Sequence, residues 1–310
     1  MRRLDRAVTQ QDRGGAIIPV PLRSFADYQI SIRRGEVSLF GGNPGAGKST
    51  IALSIAVLSG VPTLYCSMDT HEATMALRTT AMVTGLSQTE VETRIQQDPK
   101  WAADVLSKQA SHISWMFDPS PSLNDLADEI ALYREVNGDY MRLLVVDNAI
   151  DVLHESGDEF SSLRSLMREL KFWSRTTGAA VLVLHHTSES YQGNPCPPRA
   201  ALHGKISQVP SLICTVASPS DGLMALAPVK NRYGPADPSG STALWLDYDP
   251  ARMQIKDINL CDSCLCSRVS VASTSAWNWR AMSALPRWRL TSIADRYWTG
   301  IGLTYPSMTT

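Results

Sequence analysis

Short, continuously apolar runs recur along most of the chain, with longer stretches of helical period between them. The runs are Val37 to Phe40, Thr63 to Ser67, Ile113 to Phe117, Leu143 to Asp147, Ala180 to His185 and Leu212 to Ala217. An unbroken apolar run offers no face to water, so each reads as a strand buried on both sides. Helices are expected at Ser49 to Leu58, Glu72 to Val83, Asn124 to Val136 and Phe160 to Thr176, with Ser122 and Asp125 as an N-cap pair and Gly138 as a stop. Strand and helix in alternation predict an α/β fold with a central, mainly parallel sheet flanked by helices. After Ala217 the pattern changes to Leu223 to Val229, Ala243 to Leu246 and Met253 to Ile255, with Gly, Pro and Asp between them. That spacing predicts an antiparallel extension of the same sheet near the C-terminal end.

Composition narrows the class. The chain has 310 residues, of which 44% are hydrophobic and 19% charged, so it can bury a core and is not a disordered chain. Its 29 basic and 30 acidic residues give a formal charge of −1, which excludes a globally basic nucleic-acid coat. No apolar stretch is long enough for a membrane helix and none follows the basic N-terminus, so no membrane association and a cytoplasmic location, in a bacterium or a phage-infected host, are expected. Cys66, Cys196 and Cys214 are scattered, as reduced thiols of a cytosolic core would be.

The organisation reads as an N-terminal extension at 1–16, one large domain at 17–257 and a tail at 258–310. The tail holds Trp277, Trp279, Trp288 and Trp298, has a net charge of +3, and follows no sustained period. Its Cys261, Cys264 and Cys266 are three thiols where a structural zinc site wants four ligands, so no metal and no function is assigned to it.

The strongest chemical signal is Gly42-Asn43-Pro44-Gly45-Ala46-Gly47-Lys48-Ser49, a full G-x-x-x-x-G-K-[ST] match set between a strand and a helix. Its backbone N–H groups and those of the helix start, with Thr50 next in line, would cradle the phosphates of ATP. Lys48 would reach the β and γ phosphates and Ser49 would ligate Mg²⁺. A second apolar strand ends in Asp147, placed as a carboxylate that completes the Mg²⁺ shell must be. Thr63 to Ser67 is expected beside the P-loop strand. Asp69, just beyond it, is then either the base that orients water or the cap of the next helix. His185 and His186 end another buried strand, where His186 either senses the γ-phosphate or is a satisfied structural histidine. Lys230 and Arg232 alternate by two and project from one face of an extended segment. They serve either as trans-acting cations or as an exposed basic hairpin.

Taken in order, GNPGAGKS, YCSMD, LLVVDN, VLVLHH and VKNRYGP resemble the RecA-like P-loop ATPase domain of hexameric replicative helicases, the DnaB-type and plasmid RepA-type, over roughly residues 17 to 257. The resemblance implies an ATP-dependent DNA helicase motor from a phage or plasmid replication module, acting as a homohexameric ring on single-stranded DNA with a loader or primase as further partner. It implies that Lys230 and Arg232 act on the neighbouring subunit's ATP, that His186 is the sensor, and that the loop Ser188 to Pro210, with Arg199 and Lys205, contacts DNA. Two departures stand out. Asp69 stands where the family has glutamate, which leaves a slow-hydrolysing loader or scaffold open, and the residues before the core leave no room for a primase-contacting domain. A RecA- or RadA-like recombinase shares the same motifs.

Overall fold

The computed structural model describes residues 15–152, 159–188, 194–220 and 222–258. They belong to the first of two compact units, Met1–Leu260; the second, Cys261–Thr310, lies outside the described residues, and with it the tryptophans, arginines and three cysteines of the tail.

Among the described residues nine strands form one sheet: β1 Val37–Gly42, β2 Thr63–Ser67, β3 Ile113–Met116, β4 Leu143–Asp147, β5 Ala180–His186, β6 Leu212–Ser220, β7 Leu223–Asn231, β8 Leu244–Asp249 and β9 Gln254–Asp257. Their order is β3-β2-β4-β5-β1-β6-β7-β8-β9. From β3 to β6 the pairs are parallel, and β6 to β9 form an antiparallel extension, as the change of pattern after Ala217 implied.

Two expectations are corrected. β2 does not lie beside β1, which pairs with β5 and β6; β4 and β5 separate them. The chain leaves β1 for a position further out in the sheet, and later crossovers fill the gap. β3 is not buried on both faces either. It is the edge strand, where only Ile113 is buried and the other three residues are half-buried. Its apolar character instead serves a stack running from Tyr65 through Trp115 to Phe117, with ring centroids 5.0 and 5.7 Å apart.

Helices cover both faces: α1 Arg23–Asp27, α2 Lys48–Ser59, α3 Glu72–Thr84, α4 Gln88–Gln97, α5 Pro99–Gln109, α6 Leu123–Asn137 and α7 Glu159–Thr177. On one face Ile51, Leu53, Ile55 and Ala56 of α2 pack with Phe40, Tyr65, Leu182, Leu184 and Cys214. On the other, α6 and α7 bring Leu126, Ile130, Leu163, Leu166 and Leu170 against Leu39, Val146, Val183 and Ile213. Side chains alternate along a strand, so this division fixes the strand ends as well. On β5, His186 continues the α2 face set by Leu182 and Leu184, whereas His185 continues the α7 face set by Val181 and Val183.

The N-cap pair at α6 is a full capping box, in which Ser122 N–H donates to Asp125 Oδ2 at 2.8 Å and Asp125 N–H to Ser122 Oγ at 3.2 Å. Gly138 ends that helix in the left-handed region at φ 76°. Helices α4 and α5 have no counterpart in the hydrophobic pattern, because Val91 alone is buried in one and Ala102 alone in the other. Their starts are nonetheless marked in the sequence, by the Ser87 and Glu90 capping box and by Asp98 before Pro99. Cys66, Cys196 and Cys214 are buried free thiols, and among the described residues no helix is long and apolar enough to cross a membrane.

Candidate functional site

The glycine-rich loop turns from the end of β1 into α2 at the carboxyl edge of the parallel strands, where ligands of such sheets bind. Gly47 is the helix N-cap at φ 87°, and a Cβ there would collide with Met224 Cε. At Gly42 a Cβ would stand 2.6 Å from the Val216 carbonyl oxygen. Backbone packed this closely leaves the loop's concave side to its own N–H groups, a cradle suited to an anion. Lys48 is 7% exposed; its Nζ donates to the carbonyls of Gly42 (3.0 Å) and Asn43 (2.9 Å) and lies 3.5 Å from His186 Nδ1. Burial lowers its pKa, with Asp147 and then Asp69 opposing that shift. Asn43 is itself held by Thr187, whose hydroxyl donates to Oδ1 at 2.7 Å. The Thr50 hydroxyl points away, 3.5 Å from Tyr248 Oη and 4.0 Å from Met253 Sδ, so its N–H alone faces the cradle as a helix-start donor.

Asp147 closes the other side. It is 4% exposed, its Oδ2 accepts from Tyr65 Oη at 2.9 Å, and the Ser49 hydroxyl lies near enough to favour its charged form. Burial raises its pKa against the pull of these donors, so the carboxylate carries a negative charge in a place that disfavours one. A hard divalent cation that keeps most of its waters needs only a carboxylate and a hydroxyl of this kind, so Asp147 and Ser49 fit Mg²⁺. Tyr65 is the residue sequence reasoning missed here. Its signal was a hydroxyl-bearing aromatic at the centre of the strand, between Leu64 and Cys66 and two positions before Ser67, which is registered on Asp147.

Although β2 is not next to β1, Asp69 is brought to the site, near enough for its charge to act on Lys48, Asp147 and His186. The cap of α3 is His71, whose Nδ1 accepts from Ala73 N–H at 3.3 Å, and the capping reading of Asp69 therefore falls. Asp69 is exposed, and among the described residues its carboxylate has no hydrogen-bond or ion-pair partner.

His186 lies between two donors. Its Nδ1 faces Lys48 and its Nε2 lies 2.8 Å from Asn148 Nδ2, so a neutral ring accepts from one of them at most. Burial first and the Lys48 ammonium second lower its pKa and keep it neutral. His185, on the opposite face, is fully buried; among the described residues neither ring nitrogen has a partner at full hydrogen-bond geometry, and the His203 ring stands edge-on at 6.5 Å. Desolvation pushes its pKa down to about 4. A folded-state pKa below the unfolded value means that the unfolded chain takes up the proton first. Stability is therefore complete above about pH 6.5 and is lost as pH falls toward 4, by about 3 kcal/mol from this group. Urea unfolding at pH 7.5 and 4.5 measures it: His185→Leu should lose clearly less stability on acidification than the parent, and equal losses would remove His185 as the cause.

The remaining candidates lie away from the P-loop. A bulge at Val229 precedes both Lys230 and Arg232, with Ile213 registered on Lys230 but Cys214 on Pro228, so it leaves their relation to each other unchanged. Arg232 lies just beyond the end of β7, its N–H donating to the Ser211 carbonyl at 2.9 Å, and the two cations stand near enough for their charges to interact. Lys230 Nζ donates to the carbonyls of Ser207 (2.7 Å) and Gln208 (3.0 Å), while Arg232 approaches Glu36 at 3.8 Å in a half-exposed pair. Arg199 is exposed on a 3₁₀ turn, Arg199–Ala201. Lys205 falls in a second, His203–Gln208, and its side chain lies outside the described residues.

Comparison with known proteins adds the lineage. The AAA domain family matches residues 28–191. The Gene 65 protein of Mycobacterium phage L5 is 34% identical over 255 residues, which span 79% of this chain and 95% of that protein. The Gene 65 protein of phage D29 is 35% identical over 70% of this chain and 97% of its own length. Among solved structures, an isolated ATPase domain superposes with a TM-score of 0.68 at 14% identity, over 83% of this chain and 96% of that one. A DnaB-like replicative helicase, described with its interactions with primase, gives 0.67 at 14% identity over 83% and 67%. The RadB recombinase gives 0.53 at 16% identity over 78% and 100%. At such identities these three establish the fold, a RecA-like ATPase core.

Proposed function

This chain belongs to the AAA domain family, and on that premise we propose that it is an ATP-hydrolysing motor that moves on single-stranded DNA and separates duplex during replication. The observation that carries the reading is the convergence of Lys48, Ser49, Asp147, His186 and an exposed Asp69 around one glycine cradle at the sheet edge. ATP bound with Mg²⁺ supplies the scissile phosphoanhydride bond. Lys48 turns its ammonium from the Gly42 and Asn43 carbonyls to phosphate oxygens, and Asp147 with Ser49 holds the cation. An Asp69 carboxylate oxygen orients the attacking water and accepts its proton. His186, released from Lys48 at the end of β5, passes the change to the loop that follows. Lys230 and Arg232, released from their own-chain carbonyl and carboxylate partners, complete the neighbour's site, which requires a head-to-tail interface that closes into a ring.

Steady-state ATP hydrolysis with and without single-stranded DNA, run beside strand displacement from a forked duplex, tests the proposal. Hydrolysis stimulated by DNA together with displaced strand is the expected result. Nucleotide-dependent assembly with no DNA-stimulated turnover sinks it and favours a loader or scaffold, whereas DNA-stimulated turnover on open filaments favours a recombinase. The length of Asp69 supplies a further prediction. A side chain one methylene short misplaces the catalytic oxygen by about 1 Å, which can cost on the order of a hundredfold in rate. Asp69→Glu is therefore expected to raise kcat at least several-fold, with KM little changed; a lower kcat would show that the site is built around aspartate.

A further inference from the structure

Helix α7 carries a basic ridge that neither the nucleotide site nor the Ser188 to Pro210 loop uses. At 3.6 residues per turn, Arg164, Arg168, Lys171 and Arg175 fall within an arc of about 60° and are spread over about 16 Å of helix. Arg164, Arg168 and Arg175 are exposed and Lys171 is half-buried; beside them Phe172, an aromatic side chain with no reason of its own to face water, is 61% exposed. Leu163, Leu166, Met167 and Leu170 are buried against the sheet on the other side, which fixes the ridge outward.

Cations three and four residues apart repel one another and destabilise the helix that bears them. A merely solvated face would carry acids in between. Glu169 lies more than 90° round the helix, and among the described residues no carboxylate pairs with any of the four cations. The ridge also joins further positive charge. Lys171, Arg199 and Arg232 all stand near enough to Lys230 for their charges to act on it.

A partner must therefore supply negative charge in a line and an apolar surface beside it. Successive cations rise about 4.5 to 6 Å along the axis, which suits a string of phosphates better than one compact anion. Three of the four are arginines, whose planar fork pairs with phosphate oxygens, and an exposed aromatic offers a stacking surface for an unpaired base. We propose that the outer face of α7, formed by Arg164, Arg168, Lys171, Arg175 and Phe172, binds the backbone of single-stranded DNA and stacks one of its bases on Phe172. The proposal deepens the motor reading and rests on it only for the choice of nucleic acid.

The test is fluorescence anisotropy of a labelled oligo(dT) with the full chain over a series of salt concentrations. The variant Arg164→Ala/Arg168→Ala/Arg175→Ala should bind at least tenfold more weakly, and its slope of log affinity against log salt should shrink by about 2, at about 0.7 for each phosphate that is no longer neutralised. The matching arginine-to-lysine triple should keep the slope. Phe172→Ala should weaken binding about tenfold and leave the slope alone. Lys100→Ala/Lys108→Ala, on α5, should change neither. An unchanged slope in the alanine triple, with circular dichroism showing it folded, overturns the proposal. So does loss of self-association with DNA binding intact, which would make the ridge a protein contact. If the parent chain hydrolyses ATP and binds oligo(dT) while the triple matches it, this surface alone falls; if the parent binds no oligonucleotide, the motor reading falls with it.

Discussion

Lys48→Ala is expected to abolish nucleotide-dependent activity, with ATP turnover reduced at least a hundredfold and binding of a fluorescent ATP analogue reduced in parallel. The size follows from position. A preorganised charge in a partly dry site, aimed where negative charge gathers, is worth about a hundredfold to a thousandfold in rate when removed. Lys48 meets those terms, being 7% exposed and already among the groups that would surround the phosphates. The same variant should keep its fold. Burial lowers the Lys48 pKa, so the native state holds this cation at a cost, and each carbonyl that loses its donation keeps a backbone donor, Gly42 from Thr187 N–H at 3.3 Å and Asn43 from Ala46 N–H at 3.1 Å. A thermal midpoint within a few degrees of the parent, with turnover lost, is the expected pair of results. Turnover that survives Lys48→Ala would show that the loop is not the site of hydrolysis.

How much of this could be read from the chain depends on whether a residue's role is local. The P-loop could, because its chemistry lies in consecutive residues, of which Gly42 has no room for a Cβ beside the Val216 carbonyl and Gly45 and Gly47 take positive φ. The strand and helix alternation, the antiparallel extension and the α6 capping box could too, since each is set by residues a few positions apart. Strand order could not. Nothing local to Thr63–Ser67 says that two later strands will insert between it and Val37–Gly42. Asp69 still reaches the site, because the carboxyl ends of all the parallel strands open on one edge, so a wrong neighbour left the right edge. The Tyr65 to Asp147 and Asn148 to His186 bonds span 82 and 38 residues, and they exist only through register. Lys230 shows the opposite limit. An alternation by two suggested a free cationic face, but the carbonyls of Ser207 and Gln208 take up the Lys230 ammonium and Glu36 lies 3.8 Å from Arg232.

Asp147→Asn should separate function from stability in opposite directions. Burial raises the pKa of Asp147, which for an acid means that the native state prefers it protonated. Its contribution is favourable only below the ordinary carboxylate pKa and is lost as pH rises through the raised value, so at neutral pH the ionised side chain is a burden on the fold in the absence of a cation. Asparagine has nearly the same shape and keeps an oxygen to accept from Tyr65 Oη, but it has no charge to desolvate. The variant should therefore melt higher than the parent without nucleotide. In hydrolysis it should lose at least a hundredfold, because the oxygen that remains is neutral and binds a divalent cation weakly. Added Mg²⁺ and ATP should then raise the melting temperature of the parent clearly more than that of the variant, which keeps only Lys48 and the glycine cradle for the phosphates. Thermal melts of both proteins with and without Mg²⁺ and ATP decide the matter: a variant that gains as much from the ligands as its parent would mean that Asp147 serves the fold through Tyr65 and that the cation is held elsewhere.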